Sequence, residues 1–298
     1  MNQRNPYIQP DANKPVLDAV FVPALATPEF FKGKTVIVVD VLRATTTITT
    51  AIDGGCRYVL PQGSIDSAKA AHQNFEADAD TAGLSILGGE RNGEIVPGFH
   101  HGNSPVEYSE TSLEDKILIL ATTNGTVAME ECRLAKRVLM GAMVNLTAVA
   151  QQVIDDEDVV VLCSGTDRLI TREDVIFAGA FLDRVRQIRQ ERDLPPGHLT
   201  DPGMLAVGHW RSVQQQIEAA AASDGTPDNS TFESKTESES NSQPTLAQVF
   251  KNSRGGINLA RIGHMPDIEF AANIDSLPVV SELNLKTWQI RRLQPTSG

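Results

Sequence analysis

Apolar and polar positions along the chain alternate in blocks that predict strand, turn, helix, strand. Val36-Ile37-Val38-Val39 is an unbroken apolar run with the composition of a strand buried on both faces. It predicts a strand over Thr35 to Val41 and an amphipathic helix from Thr45 to Asp53, which Gly54-Gly55 stops. Further strands are predicted at Val16 to Pro23, Arg57 to Leu60, Ser85 to Leu87, Lys116 to Ala121, Arg137 to Gly141 and Asp158 to Cys163. Helices are predicted over Ser64 to Asn74, from Thr126 to Cys132, over Val144 to Ile154, from Thr171 to Arg192 and over Thr245 to Lys251. Thr171 with Asp174 three residues on has the spacing of a capping box. Strands alternating with helices give an α/β fold with a mainly parallel sheet and flanking helices. Residues 15–223 and 245–293 carry this pattern, and a division into two α/β subdomains near residue 142 is left open. Residues 1–14 read as a loose polar tail. Residues 224–244, rich in Ser and Glu, read as a disordered polar insertion because they have too little apolar surface to bury.

The most informative stretch is the end of the second strand. Asp40 and Arg43 follow the buried run, and Thr45-Thr46-Thr47 open the next helix. In an open α/β sheet, ligands bind beyond the carboxyl ends of the strands. The hydroxyls and free N–H groups at a helix start suit an anion. A carboxylate beside an anion site calls for a bridging divalent metal, or else for a salt bridge between Asp40 and Arg43. Two more strand ends, Ala121 and Cys163, lead into loops of the same character: Thr122-Thr123-Asn124-Gly125-Thr126 and Ser164-Gly165-Thr166. Each reads as a phosphate nest or as ordinary turn chemistry. Gly88-Gly89-Glu90-Arg91-Asn92-Gly93 offers close backbone approach, a metal-binding carboxylate and a forked cation, or a hairpin turn at Asn92-Gly93. Asn103 or Ser104 suits a helix cap with Pro105 at the first position, or an anion docked there. His100 and His101, just before it, read as loop histidines.

Composition narrows the function. The chain has 298 residues, 41% hydrophobic and 21% charged, with a formal net charge of −12. That field repels nucleic acid and anionic membrane. An anionic small molecule remains admissible where local arginines and a cation reverse the sign. Three scattered cysteines, Cys56, Cys132 and Cys163, fit neither a disulfide framework nor a structural zinc site. They point to a reducing, cytoplasmic setting. No apolar run has the length of a membrane span, and Met1 to Lys14 lacks the apolar core of a signal peptide. There is no GxxxxGK[ST] loop, GxGxxG fingerprint or GxSxG elbow. Asp40-Val41-Leu42 lacks the second aspartate of a haloacid-dehalogenase phosphatase, and Cys163 to Arg168 is one residue short of a tyrosine phosphatase loop.

Taken in order, Val39 to Thr47, Gly88 to Gly93, Pro97-Gly98-Phe99, Gly102 to Pro105, Thr122 to Thr126 and Ser164 to Thr166 closely resemble the 2-phosphosulfolactate phosphatase (ComB) family. Ser253-Arg254-Gly255 and Asp267-Ile268 resemble its C-terminal part. The resemblance implies a Mg²⁺-dependent phosphoric monoester hydrolase that converts 2-phospho-3-sulfolactate to 3-sulfolactate, a step toward coenzyme M. It also implies the family's own α/β fold. On this reading Asp40, Glu90 and Arg43 are catalytic: Asp40 attacks phosphorus or holds the metal, and Glu90 is a metal ligand or the general base. Arg91, Thr45, Thr46, Asn103, Ser104, Thr123, Asn124, Gly125, Thr126, Ser164, Gly165, Thr166 and Arg254 bind the substrate. His100-His101 stands where the family pattern leads one to expect an Asp-Leu-like pair. Action on another small anionic phosphoester, or anion binding without catalysis, are the alternatives. A homo-oligomer is left open, and no nucleic acid or membrane partner is expected.

Overall fold

A computed structural model describes residues 15–223 and 245–294. The predicted N-terminal tail and the predicted insertion at 224–244 lie outside the described residues. In chain order the strands are β1 (Val16–Val20), β2 (Thr35–Val39), β3 (Tyr58–Gln62), β4 (Ser85–Arg91), β5 (Glu94–Ile95), β6 (Ile117–Ala121), β7 (Arg137–Gly141), β8 (Asp158–Cys163), β9 (His198–Leu199), β10 (Ser281–Asn284) and β11 (Gln289–Arg292). The α-helices are α1 (Ala44–Asp53), α2 (Ile65–Ala77), α3 (Pro105–Ser109), α4 (Gly125–Glu131), α5 (Leu146–Gln151), α6 (Arg172–Glu191), α7 (Asp201–Ser223), α8 (Leu246–Lys251), α9 (Arg254–Arg261) and α10 (Met265–Ala271).

The strands form one sheet in the order β5-β4-β6-β3-β11-β10-β7-β2-β8-β1-β9. Pairing is parallel within β4-β6-β3 and within β7-β2-β8-β1-β9. The antiparallel hairpin β10–β11 sits between these two blocks. It joins them through single register pairs, Ile290 with Val59 and Glu282 with Leu139. The blocks are not consecutive in sequence, since β1 and β2 belong to one block and β3 to the other.

β2 is buried along its whole length, as the unbroken apolar run implies. Successive side chains point to opposite faces. Ile37 and Val39 pack with α5, α6 and α7, whereas Val36 and Val38 pack with α1 and α4. Burying each such side chain is worth about 1.5–3 kcal/mol. A third cluster lies under α2, around Leu87, Ile119 and Ala68. The helices α6 and α7 approach so closely that a Cβ at Gly179 would stand 2.1 Å from the carbonyl oxygen of Ala206.

Two local expectations are corrected. The predicted strand at Ser85 to Leu87 does not stop there: β4 continues through Gly88 and Gly89, which pair with Leu120 and Ala121. The place of a side chain at Gly88 is taken by the Tyr108 hydroxyl, 2.0 Å from where a Cβ would stand. The turn is confined to Asn92 and Gly93, at φ 58° and 85°, the left-handed pair a tight hairpin requires. In addition, Thr171 makes no side-chain cap on α6. Asp174 instead accepts hydrogen bonds from the backbone N–H groups of Val41 (2.9 Å) and Gly165 (3.0 Å), tying together the loops after β2 and β8.

Candidate active site

A cleft of about 760 Å³ opens beyond the carboxyl ends of β2, β4, β6 and β8. Its lining includes Asp40, Arg43, Glu90, Arg91, Asn103, Thr123, Asn124, Thr166 and Arg254, drawn from six separate stretches of chain. The side of the sheet on which loops were expected to meet is therefore the side on which these residues gather.

Asp40 lies at the buried floor, directly after β2. Its Oδ1 accepts from the Ala44 N–H at 3.3 Å. Desolvation by burial, reinforced by nearby Asp174 and only partly offset by that N–H, pushes its carboxyl up to about 8. Glu173 and Asp174, buried at the start of α6, are raised in the same direction, first by desolvation and then by neighbouring acids. One oxygen of Glu173 and the buried Oδ1 of Asn103 find no partner among the described residues. Glu90 is fixed on the hairpin: Oε2 accepts from the Gly93 N–H (2.8 Å) and Oε1 from the Thr123 hydroxyl (3.2 Å).

Gly125, at the start of α4, matters for a steric reason. A Cβ there would stand 3.2 Å from Asp40 Oδ2 and 3.0 Å from the Ala44 Cβ, so its absence lets the helix start close to the carboxylate.

Arg43, read from sequence as a catalytic group or as a salt-bridge partner of Asp40, pairs instead with Asp267. It is buried, with Nη1 2.6 Å from Asp267 Oδ2 and Nη2 donating to the Gly93 carbonyl at 2.8 Å. Its charge is matched inside the protein, and its visible work is to hold the β4–β5 hairpin against α10. Ser104 caps α3 and donates to the other oxygen of Asp267 at 2.5 Å, away from the cleft. Thr45 and Thr46 are fully buried and use their hydroxyls locally. Thr45 Oγ1 bonds the backbone of Asp40, and Thr46 Oγ1 donates to the Val41 carbonyl. Threonines in this position readily satisfy nearby backbone groups instead of a ligand. Thr126 bonds Thr122 and the Gln62 carbonyl, and Ser164 and Gly165 are buried and do not line the cleft, whereas Thr166 does. The two histidines are also occupied: His100 Nδ1 accepts from the Leu87 N–H, and His101 Nδ1 meets Glu107 Oε1 at 2.8 Å.

Glu173 is not singled out from sequence, Asp174 reads only as a cap and Asp267 only as part of the C-terminal resemblance, because their partners lie far away in the chain. Asp167, Asn258 and Arg261 line the cleft. The spacing of Arg254, Asn258 and Arg261 at i, i+4 and i+7 is a readable signal of one helix face.

Among the described residues no group of three or more His, Cys, Asp or Glu side chains forms a ready cage for a metal ion. None of the described helices is long and apolar enough to cross a membrane.

Fold and cleft define an α/β protein with a cleft of acidic, amide, hydroxyl and guanidinium groups at the carboxyl edge of a mostly parallel sheet. The sequence model described as 2-phosphosulpholactate phosphatase matches residues 20–286, and the chain belongs to that family. A protein of Clostridium novyi named "Probable 2-phosphosulfolactate phosphatase" is 38% identical over 162 residues, 54% of this chain and 66% of the relative. One of Caldanaerobacter subterraneus subsp. tengcongensis with the same name is 35% identical over 158 residues, 53% of this chain and 64% of the relative. A third, from Clostridium kluyveri, is 41% identical over 154 residues, 51% and 61% of the two chains. The chain thus spans somewhat under two thirds of the length of these relatives.

Proposed function

We propose that the chain is a Mg²⁺-dependent phosphoric monoester hydrolase acting on 2-phospho-3-sulfolactate to give 3-sulfolactate and phosphate, in the cytoplasmic route to coenzyme M. The observation that carries this reading is the contrast within the cleft. An acid-rich floor (Asp40, backed by Glu173 and Asp174, with Glu90 beside it) faces a rim of guanidinium groups from Arg91, Arg254 and Arg261.

A divalent cation fits the floor. Four carboxylates act on one another there, while the nearest cation, Arg43, is already paired with Asp267. Hard oxygen donors are what Mg²⁺ prefers, and the partnerless Asn103 Oδ1 on the same wall is another. Asp40 and Glu90 would hold the ion, which when bound supplies positive charge to the phosphoryl oxygens. Two unit charges in close contact at an effective dielectric near 20 attract by roughly 4 kcal/mol, before desolvation is subtracted.

The chain's own groups do the rest. Thr123 and Asn124 offer donors to the phosphoryl oxygens. Glu90, held by two hydrogen bonds, is oriented to take a proton from the attacking water. Asp40, once ionised, either ligates the cation or attacks phosphorus itself. The ester P–O bond breaks, the water oxygen ends on phosphorus and its proton passes to the leaving alkoxide.

The test is phosphate release from 2-phospho-3-sulfolactate with and without EDTA, in the parent and in Asp40→Asn. Expected are loss of turnover on chelation and on substitution. Near-parental activity of Asp40→Asn would refute the reading. Binding of small anions that ignores EDTA, with no turnover, would assign the chain to anion binding.

A further inference from the structure

Four arginines reach the cleft, and they are not equivalent. Arg43 is locked between Asp267 and the Gly93 carbonyl. The other three sit at the exposed rim, two of them on α9. Arg254, Asn258 and Arg261 fall on one face of that helix, and all three line the cleft. The tip of the β4–β5 hairpin faces them: a Cβ at Gly93 would stand 2.5 Å from the Ile262 side chain and 3.6 Å from Asn258 Nδ2.

The pairing state of each group is informative. Arg261 Nη2 donates to Asn258 Oδ1 at 2.9 Å, a neutral acceptor, and it has no acidic partner among the described residues. That contact occupies the amide oxygen of Asn258 and leaves its Nδ2, beside the hairpin tip at Gly93, as a donor. Arg254 Nη2 lies 3.2 Å from Asp167 Oδ2, an ion pair with both side chains largely in solvent (49% and 72% exposed). A surface pair of that kind is worth about 0–1 kcal/mol and exchanges readily. Asp167 therefore presents to Arg254 the group that a substrate carboxylate would present.

A phosphoester with an otherwise neutral body would have no use for this rim. We propose that the α9 face is a second anion subsite that reads the acid groups not transferred in the reaction. Arg261 and Asn258 Nδ2 take a three-oxygen sulfonate, and Arg254 takes the adjoining carboxylate by exchanging it for Asp167. The inference rests on the proposed reaction for its choice of ligand. The subsite would make the protein selective for sulfonated over plain phospho-hydroxy acids.

Two measurements test it. Calorimetry with 3-sulfolactate, which carries no phosphate, reads the subsite whether or not the chain is a phosphatase. Arg261→Met should weaken 3-sulfolactate binding about 10- to 100-fold, the worth of one or two charge-assisted hydrogen bonds. Asp167→Ala should leave it equal or tighter. Unchanged affinity in Arg261→Met, or loss in Asp167→Ala, overturns the proposal. In turnover, the ratio of kcat/KM for 2-phospho-3-sulfolactate over that for 2-phospholactate should fall at least ~10-fold in Arg261→Met. An equal loss on both substrates overturns the subsite. If neither substrate releases phosphate, the phosphatase reading fails and calorimetry alone decides this one.

Discussion

Replacing Arg43 by methionine separates a catalytic arginine from one that holds the site together. The side chain is 3% exposed and its partner Asp267 is 2% exposed, so the pair lies out of water. Removing one member of a buried pair leaves the other charge uncompensated, at about 3–5 kcal/mol. Here Asp267 keeps the Ser104 hydroxyl at 2.5 Å and has His264 Nδ1 at 3.1 Å, which sets the cost at the low end. Loss of the bond to the Gly93 carbonyl adds about 1 kcal/mol. The expected destabilisation of Arg43→Met is therefore about 3–4 kcal/mol, read as a lower urea midpoint at unchanged slope. The double variant Arg43→Met/Asp267→Asn removes both charges and should be less unstable than the two single losses added together. A single-variant loss below about 1 kcal/mol, or strict additivity, would refute the assignment of Arg43 as a structural tie. The hairpin bearing Glu90 and Arg91 hangs on that tie, so turnover should fall as well.

Two further outcomes follow from the geometry. Asp40 has its carboxyl raised from 3.8 to about 8, so the folded chain holds its proton more tightly than the unfolded chain does. Stability of the metal-free protein should therefore fall as pH rises through this window. Thermal melts between pH 6 and 8 should show a steeper decline in the parent than in Asp40→Asn, and added Mg²⁺ should raise Tm more at pH 8 than at pH 6; equal slopes would rule this out. At Gly179, alanine would drive a methyl group into the Ala206 carbonyl and force α6 from α7. The expected cost is about 1–3 kcal/mol by denaturation, and a neutral substitution would show that the helices are free to shift.

Much of the framework was legible because it rests on local pattern. The buried run at Val36 to Val39 located β2 and placed Asp40 at its end, and Asn92-Gly93 marked the hairpin turn. Where the sequence is silent, the reason is that a residue with a local role in sequence terms is claimed by a distant partner. Asp174 has the spacing of a capping residue, yet the loops of Val41 and Gly165 supply N–H groups that it takes instead. Arg43 stands where an anion clamp would stand, but Asp267, more than two hundred residues on, claims its charge. Conversely, Thr45 and Thr46 were read as ligand donors because nothing in sequence reveals that their hydroxyls sink into the core. The predicted strand stops at Leu87 because glycine is poor in strands, and the occupant of the missing side-chain space at Gly88, Tyr108, lies twenty residues away.

The hairpin β10–β11 bears on how the molecule assembles. Every other strand precedes it in the chain, yet it stands in the middle of the sheet. The two parallel blocks have no ladder in common until these late residues arrive and slot between them like a keystone. Closure depends on contacts of very long sequence separation, which slows folding. Each block must meanwhile keep an unmatched strand edge, at β3 and at β7, from pairing with a neighbour.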